Sequence, residues 1–147
     1  MSAVVVVDPG LTRELRRAVL RPHLTADDVL PGDDRPDAVH LADLAGDGRP
    51  LCASFVFPQP CPWLPGRTAW QLRQMATAPA ARGSGHGRAV VAAAEAYARE
   101  QGAAVLWCYA RESAAGFYER CGWQRHGEVF TDADHPTAHQ RMWISCR

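Results

Sequence analysis

Arg82-Gly83-Ser84-Gly85-His86-Gly87-Arg88 sets three glycines at alternate positions between two arginines. Pro79, just ahead, cannot donate to a strand ladder, so the extended run of residues 70–77 must stop there. Beyond the loop, Val90, Val91, Ala94, Tyr97 and Ala98 recur at helical spacing, and Gly102 supplies a stop. The glycines therefore stand at a helix N-terminus, where unpaired backbone N–H groups and the helix dipole favour an anion. Lacking a Cβ, they let the backbone approach that anion closely, and Arg82 and Arg88 add donors suited to phosphate. No lysine follows the glycines as a P-loop requires, and single-residue gaps are not those of Gly-x-Gly-x-x-Gly. A phosphate-bearing ligand held in some third way is expected.

The elements that position this loop follow from the apolar pattern. Residues 3–7 form a β-branched strand broken by Asp8-Pro9-Gly10, with Asp8 or Thr12 available as a helix cap. In that helix Leu11, Leu15, Ala18 and Val19 share one face, Arg13, Glu14, Arg16 and Arg17 lie mostly off it, and Pro22 ends it. Thr25-Ala26-Asp27-Asp28 fits a capping box, and residues 31–37 read as a solvated acidic loop. Residues 38–44 and 51–57 pair as an antiparallel hairpin around Gly46-Asp47-Gly48, with His40 as a structural histidine on one face. The proline-rich stretch 58–66 cannot be a central strand; its Trp63 packs on the body or overhangs a pocket. Past the glycine loop and its helix, the apolar run 104–109 reads as a strand covered on both faces, joined to 70–77 by a parallel crossover. A short helix at 113–121 is stopped by Gly122, and strands at 123–130 and 138–145 flank a polar loop at 131–136.

With 147 residues, one domain spanning 1–147 is expected. A hydrophobic share of 47% and a charged share of 22% are those of an ordinary globular chain. A formal net charge of +0, from 16 basic and 16 acidic residues, argues against a nucleic-acid partner. No apolar run reaches the length of a membrane span, and Met1-Ser2-Ala3 lacks the start of a signal peptide. Five cysteines without Cys-x-x-Cys spacing point to reduced packing thiols in a cytoplasmic protein and away from zinc.

The loop, with Arg82-Gly83-x-Gly85-x-Gly87, resembles the acyl-CoA pyrophosphate loop of the GNAT superfamily of N-acetyltransferases. Thirty residues on, Ala114, Phe117, Tyr118 and Gly122 match that family's Ala-x-x-Phe-Tyr-x-x-x-Gly-Phe, with Trp123 in place of the last phenylalanine. The resemblance covers roughly residues 70–144. It departs at Arg111, where many members carry asparagine, and on the strand 70–77, where Gln71, Arg73 and Gln74 stand and no carboxylate base does.

The resemblance implies an α/β (α+β) three-layer fold, with a mixed, mostly antiparallel sheet of six to seven strands, splayed near its centre, and helices on both faces. It implies acetyl-CoA as cosubstrate and no metal, the pantetheine pairing along Met75, Ala76 and Thr77 and the pyrophosphate on Arg82, Gly83, Ser84, Gly85, His86, Gly87 and Arg88. A primary amine attacks the thioester directly, and Tyr118 protonates the departing thiolate. The candidates for the base are His139, His40 and Glu128, acting directly or through water. His139 comes first, because Ala138-His139-Gln140-Arg141-Met142 resembles a Pro-His-x-x-Met ending in some relatives. Asp27, Asp28, Asp33 and Asp34, with Glu128, Asp132 and Asp134, form an acidic rim that draws in a small cationic acceptor. The expected partner is that small-molecule amine, with no nucleic acid or membrane and a homodimer left open. The alternative is a non-catalytic acyl-CoA-binding or sensor domain.

Overall fold

The computed structural model describes residues 4–25 and 28–146. Its elements run β1 (Val4–Val7), α1 (Pro9–Leu20), β2 (Val39–Leu44), β3 (Pro50–Pro58), β4 (Ala69–Thr77), a 3₁₀ turn (Pro79–Ala81), α2 (His86–Glu100), β5 (Val105–Arg111), α3 (Glu112–Arg120), β6 (Gln124–Phe130) and β7 (His139–Ser145). The strands hydrogen-bond in the order β1-β2-β3-β4-β5-β7-β6, a seven-stranded mixed sheet. The chain divides into two compact units: the stretch up to Pro58 with Leu72–Ala94, and Gln59–Gln71 with the stretch from Glu95 onward.

In the first unit, β1 and β2 pair antiparallel from Val4↔Asp43 to Val7↔His40, and β2 and β3 from Val39↔Val56 to Leu44↔Pro50. The Asp8 carboxylate accepts from the Gly10 N–H at 3.0 Å and caps α1, with Pro9 in the first turn where its missing donor costs nothing. The buried face of α1 is not the apolar one expected. Thr12 and Arg16 are fully buried, whereas Leu11 is 46% exposed. The reason is a polar network beneath the helix, described below. The Thr25 N–H does bond the Asp28 carboxylate at 2.7 Å, but Ala26 and Asp27 of the expected capping box lie outside the described residues. The core of this unit is carried by β3, whose Phe55 and Val56 are completely covered.

In the second unit, the first three residues of β4 pair parallel with β5, from Ala69↔Val105 to Gln71↔Trp107. β5 then pairs antiparallel with β7 along seven residues, and β7 with β6. The continuous apolar run of β5 is buried from Val105 to Cys108, as its lack of alternation requires. The proline-rich connection is tied down: the Trp107 indole donates to the Gln59 carbonyl at 2.9 Å, and Trp63 packs edge-on against Trp107 and flat on His126, both at 5.3 Å. Trp63 therefore packs on the body of its unit. All five cysteines are free thiols.

Candidate functional site

The cofactor candidates all lie in the first unit. After the 3₁₀ turn, Gly83 and Gly85 adopt φ of +82° and +85°, a region that glycine enters without strain. A Cβ on either would meet nothing within 4 Å, so the glycines leave an open cradle in front of the helix. The first intrahelical bond runs from the Ala89 N–H to the Gly85 carbonyl at 3.0 Å, so the N–H groups of His86, Gly87 and Arg88 stand ahead of it. Arg82, Gly83, Ser84, Gly85 and Arg88 are exposed. This arrangement fits a phosphate.

His86 contributes differently from its neighbours. Its Nδ1 meets the fully buried Asp43 carboxylate at 2.8 Å, which ties the start of α2 to β2. Its ring faces that buried carboxylate, leaving its backbone N–H as the donor toward an anion. At the end of β4, the Thr77 hydroxyl donates to the Cys52 sulfur at 3.3 Å, and that thiol donates to the Met75 sulfur at 3.6 Å. Ala76, between them, is only 1% exposed.

Tyr118 and His139 lie in the second unit. The Tyr118 ring is 4% exposed and packs against Phe117 and Trp123 at 5.1 and 5.0 Å. Its hydroxyl hydrogen-bonds the Cys108 sulfur, whose thiol burial pushes well above its ordinary value. His139 opens β7, opposite Arg111 on β5 and Phe130 on β6. Its Nδ1 lies 2.7 Å from the Thr137 carbonyl oxygen. A carbonyl can only accept, so Nδ1 carries a proton and donates it to that bond.

His40 and Glu128 are the other two base candidates. His40 is 3% exposed, stacked on Phe55 at 4.8 Å, and neither ring nitrogen has a hydrogen-bond partner among the described residues. Burial, with the Arg16 charge nearby, lowers its pKa to about 4. Glu128 is exposed on β6.

Sequence reasoning missed three features. Asp132 and His135 are hydrogen-bonded at 2.9 Å, and the His135 ring sits 4.6 Å from that of His139, with Tyr109 and Phe130 packed around it. Hydrogen bonding to His135 holds the Asp132 carboxyl below its usual range. The spacing Asp-x-x-His was the available signal in a loop read as polar, with Asp132 and Asp134 counted toward an acidic rim. The second is the Asp43–His86 tie. The third is Arg16, whose guanidinium bonds Asp33 at 2.6 Å, Gln74 at 2.9 Å, the Pro9 carbonyl at 2.9 Å and the Thr12 hydroxyl at 3.0 Å. Gln74 in turn donates to the Pro31 carbonyl at 2.7 Å, and it holds φ +56° in the middle of β4, uncommon for a residue with a Cβ. Arg13 also pairs with Asp33 at 2.9 Å, so Asp33 is sealed at 2% exposure and is withdrawn from the acidic rim, of which Asp27 lies outside the described residues.

The family model described as the Acetyltransferase (GNAT) family matches residues 15–123. The chain belongs to the GNAT family of N-acetyltransferases. It is 31% identical over 130 residues, 88% of this chain and 87% of the relative, to the uncharacterized N-acetyltransferase YitI of Bacillus subtilis (strain 168). Among solved structures, a Lactobacillus plantarum protein provisionally named an N-acetyltransferase superposes with a TM-score of 0.81 at 19% identity, over 99% of both chains. An aminoglycoside 6'-N-acetyltransferase in complex with coenzyme A gives 0.74 at 16% identity, over 99% of this chain and 97% of that one. These likenesses establish the seven-stranded α/β architecture as that of the GNAT fold.

Proposed function

We propose that the chain is a single acetyltransferase domain that moves an acetyl group from acetyl-CoA to the primary amine of a small molecule. The observation that carries this reading is the open cradle of Gly83 and Gly85, both at positive φ, directly ahead of α2 in a member of this family. The backbone from Arg82 to Arg88 holds the pyrophosphate, with the Arg82 and Arg88 side chains adding charge, and the backbone of Met75 to Thr77 pairs with the pantetheine. Bound acetyl-CoA supplies the activated thioester; everything else falls to the protein. His139 Nε2 takes the proton that an alkyl ammonium, with a pKa of about 10.4, must lose before its nitrogen can attack. Tyr118 gives its phenolic proton to the departing sulfur.

The reacting amine is a small cation in solution, of the charge that carboxylates such as Asp28, Asp34, Glu128, Asp132 and Asp134 attract. An aminoglycoside, the acceptor named for one of the structural neighbours, is such a polycation. The test is thiol release from acetyl-CoA with polyamines, aminoglycosides, amino acids and peptide N-termini. Turnover with a member of that panel is expected; binding of acetyl-CoA with no turnover across it would favour a sensor domain instead.

A further inference from the structure

Asp43 lies on β2 in the first unit and is fully buried. Its Oδ2 meets the His86 Nδ1 at 2.8 Å, and its Oδ1 has no hydrogen-bond partner among the described residues. A carboxylate oxygen can only accept, so Nδ1 donates the proton of this bond. Taking a carboxylate out of water for one hydrogen bond is expensive, and an apolar side chain of similar volume often serves a fold as well or better. What the bond holds is the first residue of α2.

His86 follows Gly85 directly, and its own N–H, with those of Gly87 and Arg88, stands ahead of the first intrahelical bond. The loop that delivers these donors is exposed from Arg82 to Gly85. Gly83 and Gly85 take positive φ and bring no side chain to pack, so ordering them costs more entropy than ordering other residues. The His86 side chain ties this loop to β2. Asp43 also stands opposite Cys52 in the β2–β3 ladder, where facing side chains share one side of the sheet. Burial pushes the Cys52 thiol up, and the nearby Asp43 charge adds to it. The Cys52 sulfur in turn meets the Thr77 hydroxyl at 3.3 Å and the Met75 sulfur at 3.6 Å. One buried pair on neighbouring strands therefore reaches both segments assigned to the cosubstrate.

We infer that Asp43 is a positioning residue for the cosubstrate: through the His86 ring it fixes the first turn of α2, so that the N–H groups of His86, Gly87 and Arg88 are arranged for a pyrophosphate before one arrives. The inference rests on the acetyl-CoA reading proposed above. Donors arranged in advance hold an anion more tightly, because the entropy of ordering the loop is lost on folding rather than on binding. Asp43, being fully buried, meets no ligand itself and acts through His86.

Calorimetry with CoA, 3′-dephospho-CoA and pantetheine tests this, the last by competition against CoA. The first two carry the pyrophosphate and pantetheine does not. Asp43→Asn and His86→Leu should each weaken CoA and dephospho-CoA by about 10- to 100-fold relative to pantetheine, the scale of a charge-assisted hydrogen bond. The two losses should not add: Asp43→Asn placed on His86→Leu should weaken CoA no further, because one residue acts through the other. His86→Asn, whose amide puts an N–H near the place of Nδ1, should recover part of the affinity lost in His86→Leu. Melting curves show which variants fold, and the two His86 variants carry the comparison where Asp43→Asn does not. Equal losses for CoA and pantetheine, or additive losses, would make the pair a contact of the fold and overturn the inference. Unchanged CoA affinity in folded variants would overturn it too. Selective loss of CoA, with no acetyl transfer to any amine, would keep the positioning pair and overturn the transferase reading. Wild-type protein that binds no CoA would overturn both.

Discussion

Arg16 and Asp33 meet at 2.6 Å with side chains 0% and 2% exposed, so the largest fully buried side chain of α1 is a charged one. The pair, together with Gln74, fastens the loop after α1 to the irregular point of β4. Removing one partner of a buried pair strands the other. Arg16→Met is therefore expected to cost about 3 kcal/mol, the low end for such a break because Arg13 still holds Asp33. Urea unfolding measures it, and a loss under about 1 kcal/mol would show the network to be incidental.

His40 makes stability depend on acidity. Its folded pKa is lowered to about 4, against about 6.5 in the unfolded chain. Between those values the unfolded chain binds the extra proton, so the native state loses stability as pH falls from about 6.5 toward 4, by about 3 kcal/mol over the window. Above pH 6.5 the residue contributes no slope. His40→Leu should flatten this part of the stability curve; identical acid slopes in the two proteins would rule it out as the cause.

Tyr118 is expected to act in chemistry rather than in binding. Tyr118→Phe keeps the ring and its packing on Phe117 and Trp123, and deletes the hydroxyl that also meets Cys108. Affinity for acetyl-CoA should be nearly retained while kcat falls by about 10²–10⁴-fold where chemistry limits. Unchanged single-turnover rates would make the phenol a packing group.

His139 should leave its mark on the pH profile. His139→Gln is expected to lower kcat/KM and to remove the acidic limb of the rate profile. His135→Gln, which leaves the Thr137 contact of His139 in place, should keep the limb. If the limb vanishes with His135 and persists without His139, the histidine bonded to Asp132 is the base instead.

Much of the fold was written in local pattern. The Asp8 cap, the β2–β3 hairpin, the unbroken apolar run of β5 and the glycine stop after α3 each depend on near neighbours in the chain, and all appear where the sequence puts them. The glycine cradle was legible for the same reason: its three glycines and the helix that follows are contiguous. What stayed hidden depends on partners far away in sequence. Arg16 looked like solvent-facing charge because its compensating groups, Asp33 and Gln74, stand 17 and 58 residues away. Leu11 looked like core and is 46% exposed, since the helix turns its polar stripe inward to serve that network. The Asp43–His86 tie is equally non-local, its partners standing 43 residues apart.

The central claim is that the residues from Gly83 to Gly87 cradle the pyrophosphate of acetyl-CoA. Calorimetry with CoA on wild-type protein and Gly85→Glu tests it most directly, because the new side chain enters open space at φ +85° with bulk and negative charge where the anion would sit. Wild-type protein should bind, and gain about 2.7 kcal/mol of stability at a hundredfold excess over the dissociation constant. Gly85→Glu should remain folded and show no binding at concentrations that saturate the wild type. Unchanged CoA affinity in a folded Gly85→Glu protein would contradict the account.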